Sequence, residues 1–205
     1  PYYIYKDMTS HGIPIVFFDR KVEGIDASTV RIDDYLMAFF MVERMIRNGC
    51  RKIVHLAGPD HISNGYDRHR GYREALEKFS IPYDKRYVIQ GGLSAEEGAA
   101  AMEKFMSQGL DIDGLFGFTE TSTLGAKSSL QKMNYRIPED VSLCCISGTT
   151  LCTLVHPTVT AVEQPVVEMA TLSCRLLLGQ IADPNAATES VMLRGNIVER
   201  ESFRT

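Results

Sequence analysis

Short apolar runs rich in Val, Ile, Leu and Phe alternate along this chain with amphipathic stretches that carry helix start and stop signals. That alternation is the pattern of an α/β fold with a parallel sheet. Ile13–Phe18 reads as a buried strand ending at Asp19-Arg20, and Ser28–Ile32 as a short second one. Asp33-Asp34 supplies good N-cap residues for a helix that stops at Asn48-Gly49. Lys52–Leu56 is the next strand, closed by Ala57-Gly58-Pro59. A polar loop, Asp60–Tyr66, is expected to lead into a helix to about Lys78.

The second half repeats the pattern. Tyr87–Gln90 reads as a strand, and Ser94–Ser107 as a helix opened by a Ser-x-x-Glu capping box. Gly114–Phe118 and Val141–Ile146 are strands around a helix from Glu120 to Asn134. Val159–Val162 is a short strand before Pro165, which opens a helix over Val166–Leu178. Val191–Leu193 and Asn196–Glu199 look like closing strands.

Composition excludes several classes. At 205 residues and 44% hydrophobic content the chain can build one large domain or two lobes with a real core. A formal charge of −4, with Lys and Arg scattered, argues against a nucleic-acid-binding surface in this chain. Cys50, Cys144, Cys145, Cys152 and Cys174 show no disulfide-framework spacing and no Cys-x-x-Cys, so reduced, mostly structural thiols are expected. The opening PYYIYKDMTS has no basic start and no apolar core, so no signal peptide is visible in it. It reads as the tail of an element, so a partial chain is expected. The longest apolar run, near residues 35–42, is too short to span a bilayer, and no membrane association is expected.

The sequence offers no catalytic apparatus. It has no Gly-x-Gly-x-x-Gly, no phosphate-binding loop and no Gly-x-Ser-x-Gly turn. His55, His61 and His69 fall on different elements, which is poor spacing for a metal, and no cofactor is expected. What remains is a binding cleft. Ligands in open parallel sheets sit beyond the carboxyl ends of the strands. The polar residues there are Asp33, the loop before Arg68, Thr119-Glu120 and Ser147. Arg68 brings five donors in a fixed fork, suited to vicinal hydroxyls or a carboxylate.

Four segments in fixed order, GIPIVFFDR at 12–20, RHRGYREAL at 68–76, RIPEDVSL at 136–143 and PTVTAVEQP at 157–165, carry a family resemblance. Together they resemble the effector-binding core of bacterial transcription regulators of the lactose-repressor/purine-repressor family. The likeness runs from the helix end before GIPIVFFDR to NIVERES at 196–202. It does not include that family's helix-turn-helix or the first part of its amino-terminal subdomain, which would precede Pro1.

The resemblance implies a periplasmic-binding-protein-like type I fold of two doubly wound, parallel-sheet lobes with a ligand cleft between them. Residues 1–50 and 164–190 would form one lobe and 51–163 and 191–205 the other, with crossings near 50, 163 and 190. It also implies a small effector, a sugar or sugar derivative, sensed by a cytoplasmic homodimer. Operator DNA would be held through a headpiece outside this chain.

Family members carry an Arg three residues before a Gly-aromatic pair, pointing at the effector, and Arg68 stands three before Gly71-Tyr72. The other reading is a solvated charge on a helix start. Asp33 matches the family's Asp-Asn or Asp-Asp pair and is either a contact or a plain N-cap. Gln164 reaches the cleft or satisfies hinge backbone, and Phe116 stacks on a ligand or packs the core. Two departures stand out. The family's usual Asn-Asp is Thr119-Glu120 here, and its usual Gly-Phe-Asp-Asp is Cys145-Ile146-Ser147-Gly148. Thr119 and Ser147 can still bind, but a hydroxyl cannot accept from a sugar diol in two places as a carboxylate can.

A transport or chemoreceptor sugar-binding protein shares this fold and is the competing reading. An enzyme on a doubly wound sheet is a third, disfavoured by the missing phosphate loop.

Overall fold

The computed structural model describes residues 2–59 and 61–204. Asp60, where the expected polar loop begins, lies outside the described residues. The elements run α1 (Tyr2–Ser10), β1 (Val16–Phe18), β2 (Ser28–Ile32), α2 (Asp34–Arg47), β3 (Ile53–Ala57) and α3 (Ser63–Lys78). A 3-10 turn at Lys85–Tyr87 leads into β4 (Val88–Gln90), α4 (Ala95–Met106), β5 (Gly114–Gly117) and α5 (Glu120–Lys132). The chain closes with β6 (Ser142–Ile146), α6 (Leu151–Leu154), β7 (Thr160–Glu163), α7 (Val166–Ala182), β8 (Ser190–Leu193) and β9 (Asn196–Val198).

The strands form two sheets. The smaller has the order β1-β2-β8, all parallel. The larger has the order β4-β3-β5-β6-β7-β9, parallel except for β9, which runs antiparallel to β7. A parallel sheet needs both faces covered. Strand alternation divides the large sheet's side chains between two layers of helix. Ile53, Phe116, Cys144 and Ile146 face α2 and α3, with Met37, Met41, Met45 and Tyr72. Val54, Leu56, Leu115, Leu143 and Cys145 face α4 and α5, with Met102, Phe105 and Leu130. Burying each such side chain contributes about 1.5–3 kcal/mol.

The α4–α5 layer is unusually close. A Cβ on Gly98 would sit 2.0 Å from the Ser122 carbonyl oxygen, and one on Gly125 would sit 1.9 Å from that of Ala95. The expected capping box is present: Ser94 accepts from the Glu97 amide while Glu97 accepts from that of Ser94. All five cysteines carry free thiols, and only Cys174 is exposed. Burial pushes the Cys50 thiol up to about 11 and raises Cys144 well above its ordinary value, which keeps both protonated.

The chain passes between the sheets at β2→α2, at β7→α7 and at Arg194-Gly195, between β8 and β9. Two crossings therefore differ from the expected 50 and 190. Gly49 stops a helix but does not end a lobe, because α2 packs its methionines on the large sheet. Residues 191–193 extend the small sheet, where Val30 pairs with Val191.

Two further expectations change. Ile13–Phe18 is not a buried strand: only Val16–Phe18 pairs, and Ile13 and Phe18 are exposed. Helix α3 begins at Ser63, taking in residues 63–66 that read as loop. Ser, Asn and Gly favour turns by themselves, but Asn64 and Gly65 are buried here, and packing overrides the local preference. Among the described residues no helix is long and apolar enough to cross a membrane.

Candidate functional site

The earlier start of α3 moves Arg68 from an exposed helix end to the second turn, where it is 1% exposed. Its Nε and Nη2 each lie 2.7 Å from Asp34 Oδ1, and its Nη1 donates to the Phe118 carbonyl at 2.6 Å. The guanidinium also stands over the Phe118 ring, 4.5 Å from its centre. A solvated Arg68 is therefore overturned. Truncating Arg68 would strand Asp34 in the interior.

Asp34 is fully buried, and its second oxygen, Oδ2, has no hydrogen-bond partner among the described residues. Burial pushes its carboxyl up to about 6, with Arg68 pulling in the opposite direction. A buried carboxylate with one oxygen free is costly unless something completes it.

A second cluster lies at the ends of β1 and β6. Asp19 follows β1 in the left-handed region at φ 65°, and Ser147 follows β6 at φ 66°. Gln164 Nε2 donates to Asp19 Oδ1 at 3.3 Å and to Ser147 Oγ at 3.2 Å. Asn64 Nδ2, from α3, donates to Asp19 Oδ2 at 3.3 Å, while its own Oδ1 is buried without a partner among the described residues. One aspartate on the small sheet is thus tied to α3 and to the β7→α7 crossing. Two buried acceptors, Asp34 Oδ2 and Asn64 Oδ1, lack a hydrogen-bond donor among the described residues.

The other expected site residues separate. Asp33 is the N-cap of α2, its Oδ1 accepting from the Leu36 amide at 2.9 Å. Phe116 is fully buried and stacks on His55 with ring centres 4.9 Å apart, which makes it core rather than ligand platform. Thr119 caps α5, and its hydroxyl lies 2.9 Å from that of Ser122. It adjoins Phe118, whose carbonyl holds Arg68, so it borders the site. Glu120 accepts from the Thr149 amide and hydroxyl and from the Cys152 amide, at 2.6–2.8 Å. Burial raises its carboxyl, but those bonds outweigh it and hold the group below its ordinary value. Glu120 therefore fixes the loop that follows Ser147.

Of the residues expected from the sequence, Ser147 and Gln164 come together and Arg68 is buried on Asp34, while Asp19, Asp34 and Asn64, which join them, were not among those expected. The available signals were the aspartate that closes GIPIVFFDR and the doubled Asp33-Asp34. Beside this cluster, between the loop after β1 and the start of α3, opens a cleft of ≈ 850 Å³ lined by Phe17, Phe18, Tyr66 and Arg70, among others.

The profile of the periplasmic binding protein-like domain matches residues 42–203. The chain belongs to that family. Over 93% of its length this periplasmic binding protein-like domain is 31% identical to the transcriptional regulator CelR of Thermobifida fusca. Over 98% it is 27% identical to the ribose operon repressor of Halalkalibacterium halodurans. It covers 57% and 59% of those two proteins, so it spans less than three fifths of their length. Among solved structures, a CelR–cellobiose complex superposes with a TM-score of 0.90 at 30% identity, covering 95% of this chain and 60% of the other. A LacI-family regulator from Enterococcus faecium with bound ribose superposes at 0.88 and 23% identity, covering 98% of this chain and 74% of the other. At that identity the likeness speaks for the fold alone. The resemblance to lactose- and purine-repressor-type regulators, and the fold it implied, hold.

Proposed function

We propose that this domain is the effector-sensing core of a bacterial transcription regulator of the LacI type, and that its effector is a small sugar or sugar derivative. The observation that carries the reading is the Arg68–Asp34 pair beside the Asp19–Asn64–Gln164–Ser147 cluster, where both sheets meet. Fixed donors and unfilled acceptors at the carboxyl ends of strands are suited to the hydroxyls of a polyol. Aromatic rings in the adjoining cleft add apolar surface for a sugar's carbon face. The relatives are regulators, and one is described in complex with cellobiose, which favours a regulator over a transport protein.

In this reading the effector shifts the balance between open and closed lobes, and that shift alters DNA affinity through a headpiece outside this chain. The regulator acts as a cytoplasmic homodimer, binds no cofactor and is not an enzyme. The test is calorimetric titration of the domain with cellobiose, ribose and glucose, beside sedimentation of the free protein. One sugar is expected to bind and raise the melting temperature. If none of these or other neutral saccharides binds while a nucleoside or amino acid does, the sugar reading is overturned.

A further inference from the structure

The first turns of α3 are held to the small sheet by contacts that bypass Arg68. The Lys21 amide donates to Ser63 Oγ at 3.1 Å. Arg31, on β2, donates from Nη1 to Asp67 Oδ2 at 3.0 Å. That ion pair links an element of one sheet to a helix packed on the other, and its side chains are only 12% and 15% exposed. A pair so screened from water is stronger than a solvated surface bridge. On the other side of Asp67 stands Arg70, 4.0 Å from Oδ1 and stacked over the Tyr35 ring at 4.2 Å. Among the described residues neither Arg31 Nε nor Arg70 Nε has a partner, so the cluster is charged but incompletely satisfied, as befits a contact that is made and released rather than a permanent strut.

The geometry matters because Asp67 and Arg68 are consecutive on α3. Whatever fixes Asp67 against β2 fixes the backbone from which Arg68 reaches Asp34 and Phe118. We propose that the Arg31–Asp67 pair is a clasp between the lobes, which positions α3 for effector binding and favours the closed arrangement. Arg31 is a positioning residue outside the cleft, whereas Asp67 also lines it, so closure of the ligand-free protein, rather than affinity alone, reads the positioning role. The inference rests on the effector-sensing reading for its consequence, but the clasp can be tested without a ligand. If the closed form is the one competent to bind, apparent affinity scales with its population, and loosening the clasp weakens binding in proportion.

The experiment compares the wild-type domain, Asp67→Asn, and the reciprocal swap Arg31→Asp with Asp67→Arg. Small-angle X-ray scattering of the ligand-free proteins reads closure, calorimetry with cellobiose reads affinity, and melting curves report folding. Asp67→Asn is expected to raise the radius of gyration and to weaken cellobiose binding about tenfold, within the usual range of coupling between sites. The swap is expected to recover much of both. An unchanged radius with unchanged affinity would overturn the clasp, as would a folded swap variant no better than Asp67→Asn. A lowered melting temperature with an unchanged radius would make the pair structural and overturn it too. If wild-type protein binds neither cellobiose nor any other saccharide, the sugar reading fails, while the scattering arm still decides the clasp.

Discussion

The two faces of the six-stranded sheet are built to different rules. The α4–α5 face meets the sheet with an apolar surface: Val54, Leu56, Leu115 and Leu143 meet Met102, Phe105 and Leu130, two glycines let the helices touch, and the polar groups that α5 buries, Lys127 among them, are tied to nearby backbone. The α2–α3 face buries Arg68, Asp34 and His55 among its methionines and aromatics. At the sheet the first arrangement maximises contact, whereas the second accepts desolvation costs to hold an Arg–Asp pair against the strands themselves. A fold can thus separate the layer that makes it stable from the layer that makes it specific, with one sheet serving both.

The largest test of that contrast is Arg68→Ala. Breaking a buried ion pair from one side is expected to cost about 3–5 kcal/mol, seen as a lower denaturant midpoint. Adding Asp34→Asn should restore most of the stability but none of the effector binding. Full binding by a folded double variant would show that the pair is structural only.

The opposite face should answer differently. Gly125→Ala forces a methyl group into the Ala95 carbonyl and is expected to cost about 1–3 kcal/mol, while effector affinity stays as in wild type. A large loss of affinity in a folded Gly125→Ala protein would mean that the two faces are not separable.

The pH dependence of stability sharpens the account of the α2–α3 face. Burial lowers His55 from 6.5 to about 3, so its contribution is present above pH 6.5 and is lost as the pH falls towards 3. Burial raises Asp34 from 3.8 to about 6, so its contribution is present below pH 3.8 and is lost as the pH rises through 6. Each effect has a slope of about 1.4 kcal/mol per pH unit, of opposite sign, between pH 3.8 and 6. Urea titrations should therefore find little net slope from these two groups in wild type. His55→Phe should gain stability on acidification relative to wild type, and Asp34→Asn should lose it. Identical pH profiles for all three proteins would contradict the burial of both groups.

Much of this was legible in the chain itself. The alternation of strand and helix, the Ser94–Glu97 capping box and the turn of the chain at Pro165 are local signals, and each is written in a few adjacent residues. Arg68 was legible only through its place before Gly71-Tyr72. Its burial was not, because nothing local says that residues 63–66 join the helix. Asp34 and Asn64 escaped notice for the same reason, since their partners lie 34 and 45 residues away. Phe116 shows the converse: an aromatic at the right position in a motif turns out to pack on His55, because strand alternation points it at the α2–α3 layer.

The smallest expected effect divides the α2–α3 face one residue at a time. Asp33 and Asp34 are neighbours, yet Asp33 Oδ1 takes the Leu36 amide while Asp34 Oδ1 takes Arg68. An N-cap aspartate replaced by alanine costs about 1 kcal/mol, because one orphan amide at the helix start loses its acceptor. Asp33→Ala should lower stability by that amount, and Asp33→Ser, which keeps a capping oxygen, by less. Neither should change effector affinity, since the side chain is occupied by its own helix. Calorimetry beside urea melts checks both. If Asp33→Ala weakened binding tenfold or more while Asp33→Ser kept stability without restoring affinity, Asp33 would be a contact as well as a cap. The division of labour between the two aspartates would then fail.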